Sequence, residues 1–202
     1  DTLRARGESK RRPFTLTEIK KLLKAAKGSE WEGLILFGLY TGQRLGDLTR
    51  LTWQVVDLDK GELSLVTRKT GRRMILPLAK PLQQYLERLP STDDPKAPVF
   101  PKASALANKR IGTLSNQFYE LLTQSGLALA RSREREKAGR ETAREVSELS
   151  FHSLRHTATT LLKAAGASDV IAREIIGHDS EAVSRCYTHL GADDLRKHVN
   201  NM

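Results

Sequence analysis

The sequence predicts a mainly helical α+β domain carrying one small three-stranded antiparallel sheet. Three observations lead there. Apolar residues recur at helical spacing behind capping signals at Thr15 and Ser168. Between residues 53 and 78 the pattern changes to short β-branched or alternating runs, cut by Asp59-Lys60-Gly61 and Lys69-Thr70-Gly71. The length of 202 residues suits one domain large enough to bury a core.

Each element has its own local reason. Residues 1–13 hold Arg4, Arg6, Lys10, Arg11 and Arg12 with Gly7 and Pro13, which reads as a basic linker or arm ahead of a domain at 14–202. Thr15 to Lys27 is a helix: Thr15 and Glu18 form a capping box, and Ile19, Leu22, Leu23 and Ala26 supply the inward stripe. A more apolar helix over about 30–41 should be largely buried. Gly42 breaks it, and a short helix follows over about 45–51. Strands are expected at Trp53–Asp57, Glu62–Arg68 and Arg73–Leu78, then a helix over Pro81–Leu89, a loop from Pro90 to Pro101 and a helix within 108–126. The mixed-sign run at 131–148 has Glu136/Arg140 and Lys137/Glu141 at i, i+4, as on a solvated helix or insert. Phe151–Gly166 and Ser168–Ile176 are helices, another starts near Ser180, and the last covers about 193–199.

Composition narrows the function. Thirty-four Lys and Arg against 24 Asp and Glu give a net charge of +10, which makes a polyanion the leading class of partner. Aromatic residues are 5%, few for a single-strand stacking platform. The longest uncharged apolar run, Gly33 to Tyr40, is far too short to span a bilayer, so no membrane role is expected. A single cysteine, Cys186, excludes an internal disulfide and a cysteine-based zinc cage. There is no phosphate-cradling Gly-rich loop ending in Lys-Ser/Thr and no Gly-x-Ser-x-Gly.

The densest chemistry is His152-Ser153-Leu154-Arg155-His156. His152 and His156 share a helix face and have zinc-compatible spacing, yet Ser153 stands where a metallopeptidase needs its glutamate and Arg155 adds a cation. His152 and Arg155, at i, i+3, can instead face one bound anion. Other charged residues sit at breaks. Arg44 lies in Thr41-Gly42-Gln43-Arg44 with Asp47 one turn on to orient a basic neighbour. Lys69 is at a hairpin tip, His178 follows Gly177 between helices, and Tyr187-Thr188-His189 comes nine residues later. Taken singly, Lys69 is an ordinary turn lysine, His178 a helix-end residue and Tyr187 a half-buried helix residue.

Taken together and in order, Arg44, Asp47, Lys69, His152-x-x-Arg155-His156, Gly177-His178 and Tyr187 resemble the tyrosine recombinases of the phage-integrase type, over about residues 13–190. Asp47 replaces the commoner Glu, and Ile176 the usual Leu before Gly-His. The resemblance implies strand exchange through a 3′-phosphotyrosine at Tyr187. Arg44 and Arg155 would hold the phosphate, His152 would act as base, Lys69 as acid to the leaving oxygen, His178 as a phosphate hydrogen-bonder and Asp47 as an orienting residue. Arg68, Arg72 and Arg73 are expected to contact DNA phosphates or solvent. No cofactor and no metal are implied. The implied partners are double-stranded DNA and further copies of the chain, as a tetramer on paired sites, with the helix at about 193–199 as the docking element. A prokaryotic cytosol is the expected location. The family's N-terminal DNA-clamping domain would precede Asp1. A type IB topoisomerase, a DNA-binding module without catalysis and a zinc hydrolase are the rival readings.

Overall fold

The computed structural model describes residues 11–68, 71–90, 92–129, 147–177, 196, 199 and 200. Helix α2 (Glu30–Thr41) is the hub. Gly33, Leu34, Ile35, Phe37, Gly38 and Leu39 are buried around its circumference, as expected of a helix apolar on all sides. Around it pack α1 (Leu16–Ala26), the short α3 (Leu45–Leu48), α4 (Lys80–Glu87), α5 (Pro101–Gln124) and α6 (Phe151–Ala164). The capping box at Thr15 and Glu18 is present at the start of α1.

The approach of α6 to α2 depends on a missing side chain. A Cβ at Gly38 would lie 3.0 Å from both Leu154 Cδ1 and Phe151 Cζ, tighter than ordinary packing. The principal core includes Phe37, Phe100, Phe118 and Leu154, with Phe118 edge-on to Phe151. A second cluster joins Ala158 and Leu162 of α6 to Ala172, Ile175 and Ile176 of α7 (Asp169–Ile176). Ser168 caps α7 by accepting from the Ile171 N–H, and Gly177 ends it with φ 73°.

The sheet is antiparallel in the order β1-β2-β3 (Val56–Asp57, Glu62–Val66, Arg73–Pro77), with Val66 opposite Arg73 next to the hairpin turn. Its buried face carries Leu63, Leu65, Met74 and Leu76 at alternate positions.

Two expectations change in detail. Trp53–Val55 is a 3-10 turn, leaving only Val56–Asp57 as strand, because Trp53 and Gln54 donate to the carbonyls of Ala97 and Pro95 instead of to β2. Helix α5 begins at Pro101, where proline at the helix start lacks only an N–H that would be unpaired anyway; a kink at Arg110 (φ −161°, ψ 103°) lies near the start expected from sequence. The hairpin turn at Lys60–Gly61 also meets the described end of the chain: Arg196 donates to both carbonyls, and Val199 is buried in the second cluster, while most of the expected helix at about 193–199 lies outside the described residues. The helix expected near Ser180 and residues 131–146 of the charge run lie outside the described residues. Among the described residues no helix is long and apolar enough to cross a membrane.

Candidate active site

The site is built where two helices end. Helix α2 stops at Gly42, whose φ of 63° turns the chain so that Arg44 stands at the N-cap of α3. A Cβ there would overlap Ile176 Cδ1 of α7, so glycine is required both for the turn and for the contact. Gly177 ends α7 in the same left-handed conformation.

Arg155 joins these two ends. Its Nη1 donates to the Gly42 carbonyl at 2.8 Å and its Nη2 to the Gly177 carbonyl at 2.9 Å, and the residue is only 3% exposed. Helix C-termini carry partial negative charge, so a guanidinium between two of them is electrostatically matched. Gln43 reinforces the junction. It is 2% exposed, and its Nε2 donates to Thr41 O (3.0 Å), Ile175 O (3.2 Å) and Ile176 O (3.4 Å). The sequence contained no separate signal for Gln43, because the two partners that tie it to α7 lie more than 130 residues away.

Arg44 and His152 line one cavity of about 480 Å³, together with Arg11, Tyr119 and Ser150. None of the lining residues is Asp or Glu. Among the described residues, neither Arg44 nor Arg11 makes a side-chain hydrogen bond or ion pair. Guanidiniums without such partners on one cavity are of the kind suited to bind an anion. The imidazole of His152 stands edge-to-face on that of His156, with centroids 5.1 Å apart. Among the described residues no group of three or more His, Cys, Asp or Glu is placed to hold a metal ion.

The pKa of His152 is pushed down to about 4, first by partial desolvation and then by His156, Arg155, Arg11 and Arg44. His152 is an exposed residue, which weakens the desolvation, but the four cationic or ionisable neighbours act in the same direction. The ring is therefore neutral at pH 7 and able to accept a proton.

Asp47 does not meet a basic side chain among the described residues. Its Oδ1 accepts from the backbone N–H of Arg68 at 3.0 Å, so it fastens the β2–β3 hairpin to α3. Arg72 is ion-paired with Glu174 of α7, a second tie on the same hairpin, while Arg68 and Arg73 are exposed. Lys69, His178 and Tyr187 lie outside the described residues. The structure thus brings Arg44 and His152 to one cavity, sets Arg155 within electrostatic reach of His152, and adds Arg11, which the motif pattern did not single out.

Comparison with known proteins identifies the family and the fold. The model of the phage integrase family matches residues 12–193. The tyrosine recombinase XerC of Caldanaerobacter subterraneus subsp. tengcongensis is 27% identical over 194 residues, covering 93% of this chain and 50% of that protein. The tyrosine recombinase XerA of Pyrococcus furiosus is 30% identical over 196 residues, covering 93% and 61%. The chain therefore spans about half to three-fifths of the length of these relatives. Among solved structures, the integrase of mycobacterium phage Brujita superposes with TM-score 0.66 at 18% identity, over 98% of this chain and 60% of that one. The catalytic domain of bacteriophage HP1 integrase gives 0.59 at 18% identity, over 87% and 86%. A lambda integrase dimer bound to a COC′ core site gives 0.61 at 24% identity, over 96% and 51%.

Proposed function

The chain belongs to the phage integrase family, and from that premise we propose that it is the catalytic domain of a site-specific DNA recombinase. The observation that carries the reading is the pair of guanidiniums, Arg44 and Arg11, without an anionic partner among the described residues, on a cavity shared with a neutral His152. A phosphodiester is the anion that such a site in a chain of net charge +10 is suited to bind.

In the proposed reaction the Tyr187 oxygen attacks phosphorus, a 3′-phosphotyrosine forms and the 5′-oxygen leaves as a hydroxyl. A second 5′-hydroxyl then reverses the step on a new partner. One phosphoester is exchanged for another each time, so no nucleotide cofactor is required. Arg44 meets the non-bridging oxygens, whose charge grows as the pentavalent transition state forms. Arg155 contributes its charge from between the helix ends, where screening is weaker than in bulk water. A phenol with a pKa of about 10 needs a base or a strongly cationic setting. His152 is neutral and accepts the proton, and its basicity rises once the bound phosphate offsets the surrounding cations. Lys69 protonates the leaving oxygen, with Asp47 holding the hairpin beside it through Arg68, and His178 hydrogen-bonds the phosphate. Arg68 and Arg73, both exposed, contact the DNA backbone in this reading. Assembly as a tetramer on paired DNA sites, in a prokaryotic cytosol, belongs to the same proposal.

Covalent trapping tests it. Protein is mixed with supercoiled or nicked duplex DNA in chelator, quenched with detergent and examined for DNA-linked protein, with Tyr187→Phe alongside. A linked species that survives chelator and is lost in the variant is the expected result. Adduct that persists in Tyr187→Phe, or that requires a divalent metal, overturns the proposal. A relaxed product without recombinants assigns the chemistry to a topoisomerase instead.

A further inference from the structure

We propose that Arg11, a residue of the basic arm outside the family's motif set, is a phosphate-binding residue of the cleavage site, and that an ion-pair clamp centred on Arg12 positions it there. The inference rests on reading the cavity as the DNA phosphate site.

The two neighbouring arginines do different things. Arg12 is fully engaged. Its Nη1 and Nη2 reach the two Glu18 carboxylate oxygens at 2.9 and 2.7 Å, and its Nε reaches Glu148 Oε2 at 3.3 Å. The Arg12 backbone N–H also donates to the Glu148 carbonyl at 3.1 Å. Two residues on, the Phe14 N–H donates to the buried Thr157 hydroxyl at 2.8 Å, and the Phe14 ring is itself buried. Residues 12–14 are thus fastened to the chain on both sides of His152 and Arg155, at Glu148 before them and Thr157 after. The Arg12 guanidinium holds the Glu18 carboxyl down to about pKa 2, so this clamp persists throughout the neutral range.

Arg11 takes no part in it. It lines the cavity with Arg44 and His152 and has no hydrogen-bond or ion-pair partner among the described residues. Its charge is one of the causes that keep His152 neutral, after burial, His156 and Arg155 and ahead of Arg44. A second guanidinium on this cavity, with no carboxylate lining the space, is unfavourable until an anion arrives. The clamp fixes the backbone beside Arg11 beforehand, so little backbone order has to be gained on binding, and only the Arg11 side chain has to settle on the anion.

The test uses the whole 202-residue chain, with Arg11→Ala, Arg11→Lys and the exposed-loop control Lys96→Ala. Affinity for a mixed-sequence 20-base-pair duplex is measured by fluorescence anisotropy between 50 and 200 mM KCl. One phosphate contact contributes about 0.9 to the slope of log K against log salt, or about 3.5-fold across that interval. Arg11→Ala should therefore flatten the slope by about that amount with an unchanged melting temperature. Arg11→Lys should keep the slope, and Lys96→Ala should change neither quantity. In parallel, the His152 imidazole is titrated by NMR with and without inorganic phosphate. Phosphate should raise its pKa in the wild type and much less in Arg11→Ala. An unchanged slope together with an unchanged phosphate response in Arg11→Ala overturns the proposal. Its failure is distinguishable from failure of the recombinase reading. A wild type that forms the Tyr187 adduct while Arg11→Ala binds normally removes only Arg11. A wild type that forms no adduct but shows both Arg11 effects keeps Arg11 as a phosphate ligand and removes the chemistry.

Discussion

Replacing Arg155 by methionine should unfasten the two helix ends that carry the site. Methionine matches much of the volume but has no donor, so the Gly42 and Gly177 carbonyls, now bonded at 2.8 and 2.9 Å, lose their guanidinium partners. Hydrogen bonds to a charged group contribute about 1.5–3 kcal/mol each, so the two together are worth about 3–6 kcal/mol. Part of that is returned, because the variant no longer has to bury a cation at 3% exposure. The net expectation is a loss of about 3 kcal/mol. For a domain of this size each kcal/mol moves the melting temperature by about 2–4 °C, which gives a fall of about 6–12 °C. Thermal unfolding followed by circular dichroism reads the shift, and covalent trapping reads the chemistry. A variant that melts within about 2 °C of wild type yet forms no adduct would refute the clamp and leave Arg155 acting on phosphate alone.

Three further outcomes are expected. Gly42→Ala combines a left-handed backbone, about 1–2 kcal/mol for a residue with a Cβ, with overlap against Ile176; a loss of about 2–4 kcal/mol should appear in urea unfolding. Asp47→Ala removes the acceptor of the Arg68 N–H; exchange of that amide should quicken about 5- to 30-fold, as loss of about 1–2 kcal/mol of local protection implies, and adduct formation should slow. His152 has a folded pKa of about 4 against an ordinary 6.5, with Arg11, Arg44, Arg155 and His156 facing it. The unfolded chain therefore binds the proton first, and stability falls as pH drops from 6.5 to 4. Because the ring is exposed and screened, the effect is modest. It should show as a larger loss of urea resistance between pH 7 and 4.5 in wild type than in His152→Gln.

What the sequence revealed was what is encoded locally. Thr15 and Glu18, Ser168 with the Ile171 amide, and the breaks at Gly42 and Gly177 are decided within a few residues, and each stands where the pattern placed it. Pro101 was misleading because proline closes a loop and opens a helix with the same φ. Trp53–Val55 had strand-like side chains, but its backbone partners come from residues 95 and 97, which no local pattern announces. The candidate site divides in the same way. His152 and Arg155 were visible as a cluster, whereas the roles of Gln43, Arg11 and Arg12 depend in part on contacts across more than 130 residues, Gln43 with Ile175 and Arg12 with Glu148, and on a cavity that brings Arg11 to His152.

The charge balance of the site explains why it needs more than one kind of arginine. Helices α2 and α7 both point their C-termini toward it, and each such end carries roughly half a negative charge. Two ends left bare would oppose the approach of a phosphodiester. Arg155, bonded to one carbonyl at each end, offsets that field and is buried in doing so. On the proposed function, the cations that remain to attract the phosphodiester are those on the cavity without internal partners among the described residues, Arg44 at the first helix junction and Arg11 on the arm. Substitutions should separate the two classes. Loss of Arg155 disturbs the fold and the chemistry together, because the same bonds that neutralise the helix ends also place Arg44 two residues beyond Gly42. Loss of Arg44 or Arg11 removes attraction for phosphate and leaves the scaffold standing.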